Sequence, residues 1–245
     1  MLLEASTLAA VALLSIGAAI VGGMGGFGTG VILAAALVPL IGVKALVPVM
    51  AVAGVIINAG RFWFYRESLE RRTLGVALVS ALPFLVFGTW LYSVLDARSV
   101  GTILGLAVIA SVPLRRILRK KAVMLSRPGL AVGSGIFGLA SGLATGTGVI
   151  LVSLLLGTGM SGPAVLATDA LVSIALDLTK AALFQRFNLL DAQAFFTGVV
   201  IGVASIPGSA IAAALVTRVG AKLHVVFIET LIVVGGASML WHSWR

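Results

Sequence analysis

Apolar runs of about the length that crosses a bilayer succeed one another along this 245-residue chain, divided by short polar connections. They lie at 5–22, 44–65, 73–95, 99–118, 129–145, 163–184, 192–216 and 222–241, with two shorter ones at 30–41 and 149–158. A hydrocarbon core needs roughly 20 apolar residues when crossed as a helix, so the first eight suffice and the last two do not. Without water to satisfy backbone groups, such runs are restricted to helices or closed barrels, and runs this long are helical. Only 10% of residues are charged, against about a quarter in soluble domains, which leaves no room for a sizeable soluble domain. We therefore read an all-α integral membrane protein.

Charge placement orients the chain. Ten of the seventeen basic residues fall in two connections: Arg61, Arg66, Arg71 and Arg72 in the first, and Arg115, Arg116, Arg119, Lys120, Lys121 and Arg127 in the second. Basic loops stay on the cytoplasmic side, so 44–65 runs inward, 73–95 outward and 99–118 inward. The net charge of +9 is thus a topology signal, and no nucleic-acid partner is expected. Met1–Glu4 has no basic n-region, so 5–22 is read as a retained anchor. There is no cysteine, and only His224 and His242 as histidines, so no metal site and no cofactor are expected.

The chain repeats itself. Gly28-Thr29-Gly30-Val31-Ile32-Leu33 returns unchanged as Gly146-Thr147-Gly148-Val149-Ile150-Leu151, and Asn58-Ala59-Gly60-Arg61 is answered by Asp177-Leu178-Thr179-Lys180. This predicts two homologous repeats, 1–120 and 121–245, within one transport unit, each of four long transmembrane helices plus one short discontinuous helix after a glycine-rich turn. If the short segment only completes a broken helix, the halves are parallel. If it returns as a separate arm, they are inverted. Segment 5–22 spans about 27 Å at 1.5 Å per residue and nearly crosses unaided, which favours inversion.

The turns themselves are informative. Residues 22–30 hold six glycines in nine positions, a composition that costs about 1 kcal/mol per glycine in a helix interior. Non-helical backbone at membrane depth persists where it is buried or lines a cavity, and matched interruptions in two halves point to a transport site. Short helices beginning near Thr29 and Thr147 would aim free N–H groups at the turns, an arrangement that binds anions. Thr29 and Thr147 serve either as N-caps or as ligand donors, and close helix packing is the alternative use of the glycines. No Gly-Lys-Ser/Thr follows either turn, which excludes a nucleotide P-loop.

Ionisable residues at membrane depth are costly and normally pair or face a cavity. Asp177 and Lys180 are spaced to pair on one helix face. Arg61 and Lys180 are candidate anion ligands with Asn58 beside them, while Asp169 and Asp177 are candidate proton-coupling groups. Glu229 is read like Asp169, either titrating or satisfied by a hydroxyl. Pro39 is expected to end the first short helix, Pro163 to open a helix capped by Ser161, and Pro83 and Pro207 to kink matching segments.

The duplicated Gly-Thr-Gly turn before a short apolar stretch ending in Pro39, together with Ala167-Thr168-Asp169-Ala170 and Asp177-Leu178-Thr179-Lys180, resembles the TauE/SafE sulfite exporter family. The similarity covers nearly the whole chain, although Val47-Pro48-Val49-Met50 departs from the family's small-Thr-Ser pattern. It implies a multi-pass permease of the bacterial cytoplasmic (inner) membrane that moves sulfite, an organosulfonate or a related organic anion. The reading that follows is a secondary transporter, not an enzyme. Its small anion sits between the turns on Gly28, Thr29, Gly30, Gly146, Thr147 and Gly148, near Asn58, Arg61 and Lys180, with protons as the candidate coupling ion. Membrane lipid surrounds it, and monomer and homodimer both remain open. An anion channel using the same turns as its filter is the alternative, and an intramembrane hydrolase built on Ser141 and His224 is a third reading.

Overall fold

The computed structural model describes residues 5–24, 29–120, 125–160 and 162–215, with 230, 233–234, 236–237, 240–241 and 244 beyond them. Gly28, Ser161, His224 and Glu229 lie outside the described residues, as does most of the expected segment 222–241. The described residues of that segment are helical.

The secondary structure among the described residues is helical throughout. The helices are α1 (Ala5–Met24), α2 (Thr29–Ile41), α3 (Val43–Tyr65), α4 (Arg71–Val94), α5 (Ala97–Lys120), α6 (Arg127–Leu143), α7 (Gly148–Gly157), α8 (Pro163–Arg186) and α9 (Ala192–Leu215), with a 3-10 turn at Arg66–Ser68. The starts and stops have local causes. Glu70 caps α4 by accepting from the Thr73 N–H at 2.5 Å, and bonds from the Thr73 side chain and N–H hold the Glu70 carboxyl below the ordinary carboxylate range. Ser126 caps α6, and Pro128 fills its first turn. At α8, Gly162 rather than Ser161 occupies the cap position, and Pro163 opens the helix. Pro39 does not end α2, which continues to Ile41 and closes at Gly42 through a bond from its N–H to the Val38 carbonyl at 2.9 Å. Pro83 and Pro207 lie inside continuous helices.

Three helical stretches are long and apolar enough to cross a membrane among the described residues: Val43–Ser68, Arg71–Val94 and Ala192–Ala212. Shorter apolar stretches come from α1, α2, α5 and α7. Large apolar side chains such as Val79, Phe84, Phe87, Trp90, Phe195 and Ile206 face outward and are exposed, as expected where the surroundings are lipid rather than water.

Small residues determine how the helices meet. Against α4, a Cβ on Gly138 would strike the Ala81 carbonyl, and one on Gly142 would come within 2.7 Å of both the Leu85 oxygen and the Thr89 nitrogen. These ascending pairs make α4 and α6 parallel. In the same way Gly198 lies against Val49 and Val52, and Gly202 against Ile56, so α3 and α9 are parallel. Gly208 of α9 packs on Ile16 and Ala19 of α1. By contrast α3 and α8 run antiparallel, because Gly54 meets Asp177 while Arg61 meets Asp169. Helix α5 runs antiparallel to the C-terminal residues: the Arg98 guanidinium lies 4.0 Å from the Trp244 ring centre and Gly105 meets Leu240 and Gly236.

Two outcomes test this packing and capping. Gly138→Val should cost about 1–3 kcal/mol through overpacking, whereas Gly75→Ala, with nothing within 4 Å of an added Cβ, should be neutral or stabilise by up to about 1 kcal/mol; unfolding midpoints in detergent compare them. Because its folded pKa is depressed, Glu70 contributes stability above the ordinary carboxylate range and loses it as pH falls through the folded value. Glu70→Gln should therefore lower the thermal midpoint at neutral pH, with the gap closing in acid.

Candidate functional site

Two polar features occupy the interior. The first is where the glycine turns adjoin. A Cβ on Gly30 would lie 3.6 Å from the Gly146 Cα and 3.8 Å from the Thr145 hydroxyl oxygen, so the beginning of α2 touches the turn that leads into α7. Gly146 has φ +80°, a left-handed backbone that disfavours any side chain, and a Cβ there would also overlap Val31. Thr147 takes the cap position of α7, yet its hydroxyl makes no capping bond. The hydroxyl of this threonine is therefore not consumed by its own helix. Thr29 is the first residue of α2.

Beside this junction is a cavity of about 280 Å³, walled by Val31 of α2, Ala107 and Ser111 of α5, Ala140 and Leu143 of α6, and Thr145, Gly146, Thr147, Val149 and Ile150 around the α7 turn. Its exposed wall is almost wholly apolar, and although Ser111, Thr145 and Thr147 contribute to it, the Ser111 hydroxyl donates to the Val108 carbonyl at 2.6 Å. Asn58, Arg61 and Lys180 do not line it. Sequence reasoning missed Ser111 and Thr145, since nothing in α5 marks one serine as facing another helix's turn.

The second feature is a ladder of charges between α3 and α8. Lys180 Nζ and Asp177 Oδ1 are 2.8 Å apart, the i,i+3 pair expected from spacing. Arg61 lies within α3 rather than in the following loop. Its Nη2 is 2.9 Å from Asp169 Oδ2 on α8 and also donates to Asn58 Oδ1. The Asn58 side chain in turn faces the Asp177 carboxyl. The order is thus Lys180, Asp177, Asn58, Arg61, Asp169. Asp169 is 1% exposed, Lys180 5% and Asn58 9%, while the Asp177 side chain is 13% and the Arg61 side chain 29% exposed, so the ladder is most open at Arg61. Gly54 makes the approach possible, because any Cβ there would overlap the Asp177 carboxylate. It was also missed, although Gly54, Asn58 and Arg61 are spaced i, i+4 and i+7 on one helical face. One level further along, the Glu70 N–H reaches the Thr168 hydroxyl at 3.4 Å, joining the α3–α4 connection to α8.

Ser141 lies inside α6 and is 5% exposed. The glycines flanking it, Gly138 and Gly142, are used for contact with α4, a small-xxx-small seam.

Two cations and two carboxylates share this buried space, and losing one partner strands a charge. Lys180→Met should cost about 3–5 kcal/mol, and Lys180→Met/Asp177→Leu should recover most of that loss. A double variant no more stable than the single one in detergent unfolding would contradict the pairing.

Comparison with curated proteins and with solved structures finds no match. Comparison with protein families matches "Sulfite exporter TauE/SafE" over residues 11–239. That match runs through both glycine turns, the α3–α8 ladder and all nine described helices, and the chain belongs to the TauE/SafE sulfite exporter family of membrane transporters.

Proposed function

We propose that the protein is a multi-pass secondary transporter of the bacterial cytoplasmic membrane. It carries a small anion, sulfite, an organosulfonate or a related organic acid, by alternating access between two inverted repeats, 1–120 and 121–245. The observation that carries this reading is the meeting of the α2 and α7 starts at Gly30 and Gly146. Each helix start bears about half a positive charge on unsatisfied N–H groups, so two of them brought together repel unless an anion or water lies between. Thr29 and Thr147 supply hydroxyls there, and Gly28, Gly30, Gly146 and Gly148 let the ligand approach the backbone.

Helix directions support the inverted arrangement. Taking α3 and α9 as running one way, α8 runs the other, so α3 opposes its counterpart α8. Contacts also exchange between halves: α1 packs on α9 as α6 packs on α4, and α3 on α9 as α8 on α4. Rocking of one half on the other would expose the junction to either side in turn.

Thr29→Val/Thr147→Val tests the site. Hydrogen bonds to a charged group are worth about 1.5–3 kcal/mol each. Losing two should weaken sulfite counterflow in proteoliposomes by at least about a hundredfold, while the fold persists by thermal midpoint. Undiminished counterflow in the folded double variant would overturn this placement.

A further inference from the structure

The two cations that an anion would meet are already neutralised in the ladder, which raises the question of how either becomes available. The pairs differ. Lys180 and Asp177 belong to one helix, with Lys180 5% exposed, and Asp177 is further held by Asn58. Arg61 and Asp169 belong to different helices, and only the arginine reaches the surface of the protein, at 29% against 2% for the two side chains. The described bonds of Arg61 both leave from Nη2, so its Nη1 and Nε have no partner among the described residues. On the other side of the pair, Asp169 Oδ1 is buried without a hydrogen-bond partner.

We propose that Arg61 and Asp169 form an anion–proton exchange site: the transported anion binds the free Nη1–Nε edge of Arg61, and Asp169 takes up one proton as it does so. This inference rests on the anion-transporter reading and adds a second station for the anion, since Arg61 does not line the cavity beside the glycine junction. Before binding, one guanidinium is balanced by one carboxylate. The arriving anion would leave two negative charges on one cation, the inner of them beyond the reach of water, and an uncompensated buried carboxylate is far costlier than a neutral carboxyl. The proton adds to Asp169 as the anion pairs with Arg61, and the net charge of the site is the same before and after. The planar fork of arginine suits two oxygens of a sulfonate or carboxylate, which a lysine would hold only as a point charge.

Other groups around α8 do not take this role. On α3 these are Lys44 and Tyr65, in the following connection Arg66, Glu67 and Glu70, on α4 Arg71, Arg72 and Tyr92, and on α6 Arg127; α7 has none. The charges that act on Asp169 are Arg61, of opposite sign, and Asp177, of like sign on α8 itself. Asp177 stays with Lys180 and Asn58 throughout.

Calorimetric titration of the detergent-solubilised full chain with methanesulfonate, a monoanion whose sulfonate stays ionised near pH 7, tests the exchange. Run in two buffers of different ionisation enthalpy, it should show uptake of about one proton per anion bound, with affinity weakening about tenfold per unit rise in pH. Folded Asp169→Asn should bind with no proton uptake and a flat pH profile, and Asp177→Asn should keep the uptake. Binding by the unaltered protein without proton uptake overturns the exchange and leaves the anion reading intact, whatever the variants do. Uptake that persists in folded Asp169→Asn also overturns it. Binding of neither methanesulfonate nor sulfite overturns the anion reading and the exchange with it.

Discussion

Burying four charged side chains between α3 and α8 is the constraint that the rest of the interior accommodates. A lone Asp or Lys at mid-membrane costs about 3 kcal/mol even on the mildest scale. Charges withdrawn from water inside a protein carry a penalty of the same kind, and Arg61, Asp169, Asp177 and Lys180 are found between α3 and α8 as two ion pairs. Pairing across two helices fixes more than energy. It sets α3 and α8 antiparallel, aligns their registers at Arg61–Asp169 and Asn58–Asp177, and requires Gly54 so that the Asp177 carboxylate can lie against backbone. A helix pair joined only by aliphatic contacts would have no comparable reason to prefer one register.

Around this polar centre the helices approach through small residues. In lipid there is little hydrophobic gain from bringing apolar helices together, so close backbone contact must supply the attraction. Gly138 and Gly142 supply it between α4 and α6, Gly198 and Gly202 between α3 and α9, and Gly208 between α1 and α9. Large side chains are displaced from these seams to the periphery, where Phe84, Phe87 and Trp90 on α4 and Phe195 and Phe196 on α9 are exposed. The small residues belong to the seams, while Tyr92, Phe184, Leu33 and Leu104 fill the interior between them.

The helices were legible in the sequence because their limits are set locally. Runs such as 44–65 and 192–216 became α3 and α9 with ends displaced by a residue, and the short runs at 30–41 and 149–158 became α2 and α7. Asp177–Lys180 was legible for the same reason, since both residues are on one helix. Arg61–Asp169 was not. The partners are 108 residues apart, and α8 is apolar over most of its circumference, so periodicity did not say which of its faces meets α3. Ser111 and Thr145 beside the glycine junction were hidden likewise, because which helix closes a cavity is a tertiary fact. Pro39 misled as a helix stop: it remains inside α2, and the chain reverses at Gly42, whose φ of +79° a proline cannot supply.

The glycine junction and the charge ladder also differ in symmetry, and the difference bears on mechanism. Gly-Thr-Gly is identical in the two halves, and on the proposed reading it offers an anion the same residue types from either half. The ladder is uneven. Asp177 and Lys180 follow Asn58 and Arg61 by 119 residues, and the position matching Asp169 at that offset is Met50. One cation comes from each half, but both carboxylates come from α8. A symmetric junction serves two access states equally and favours neither. The residues of the ladder present once are the two aspartates, and of these Asp169 has a fully buried oxygen without a partner among the described residues.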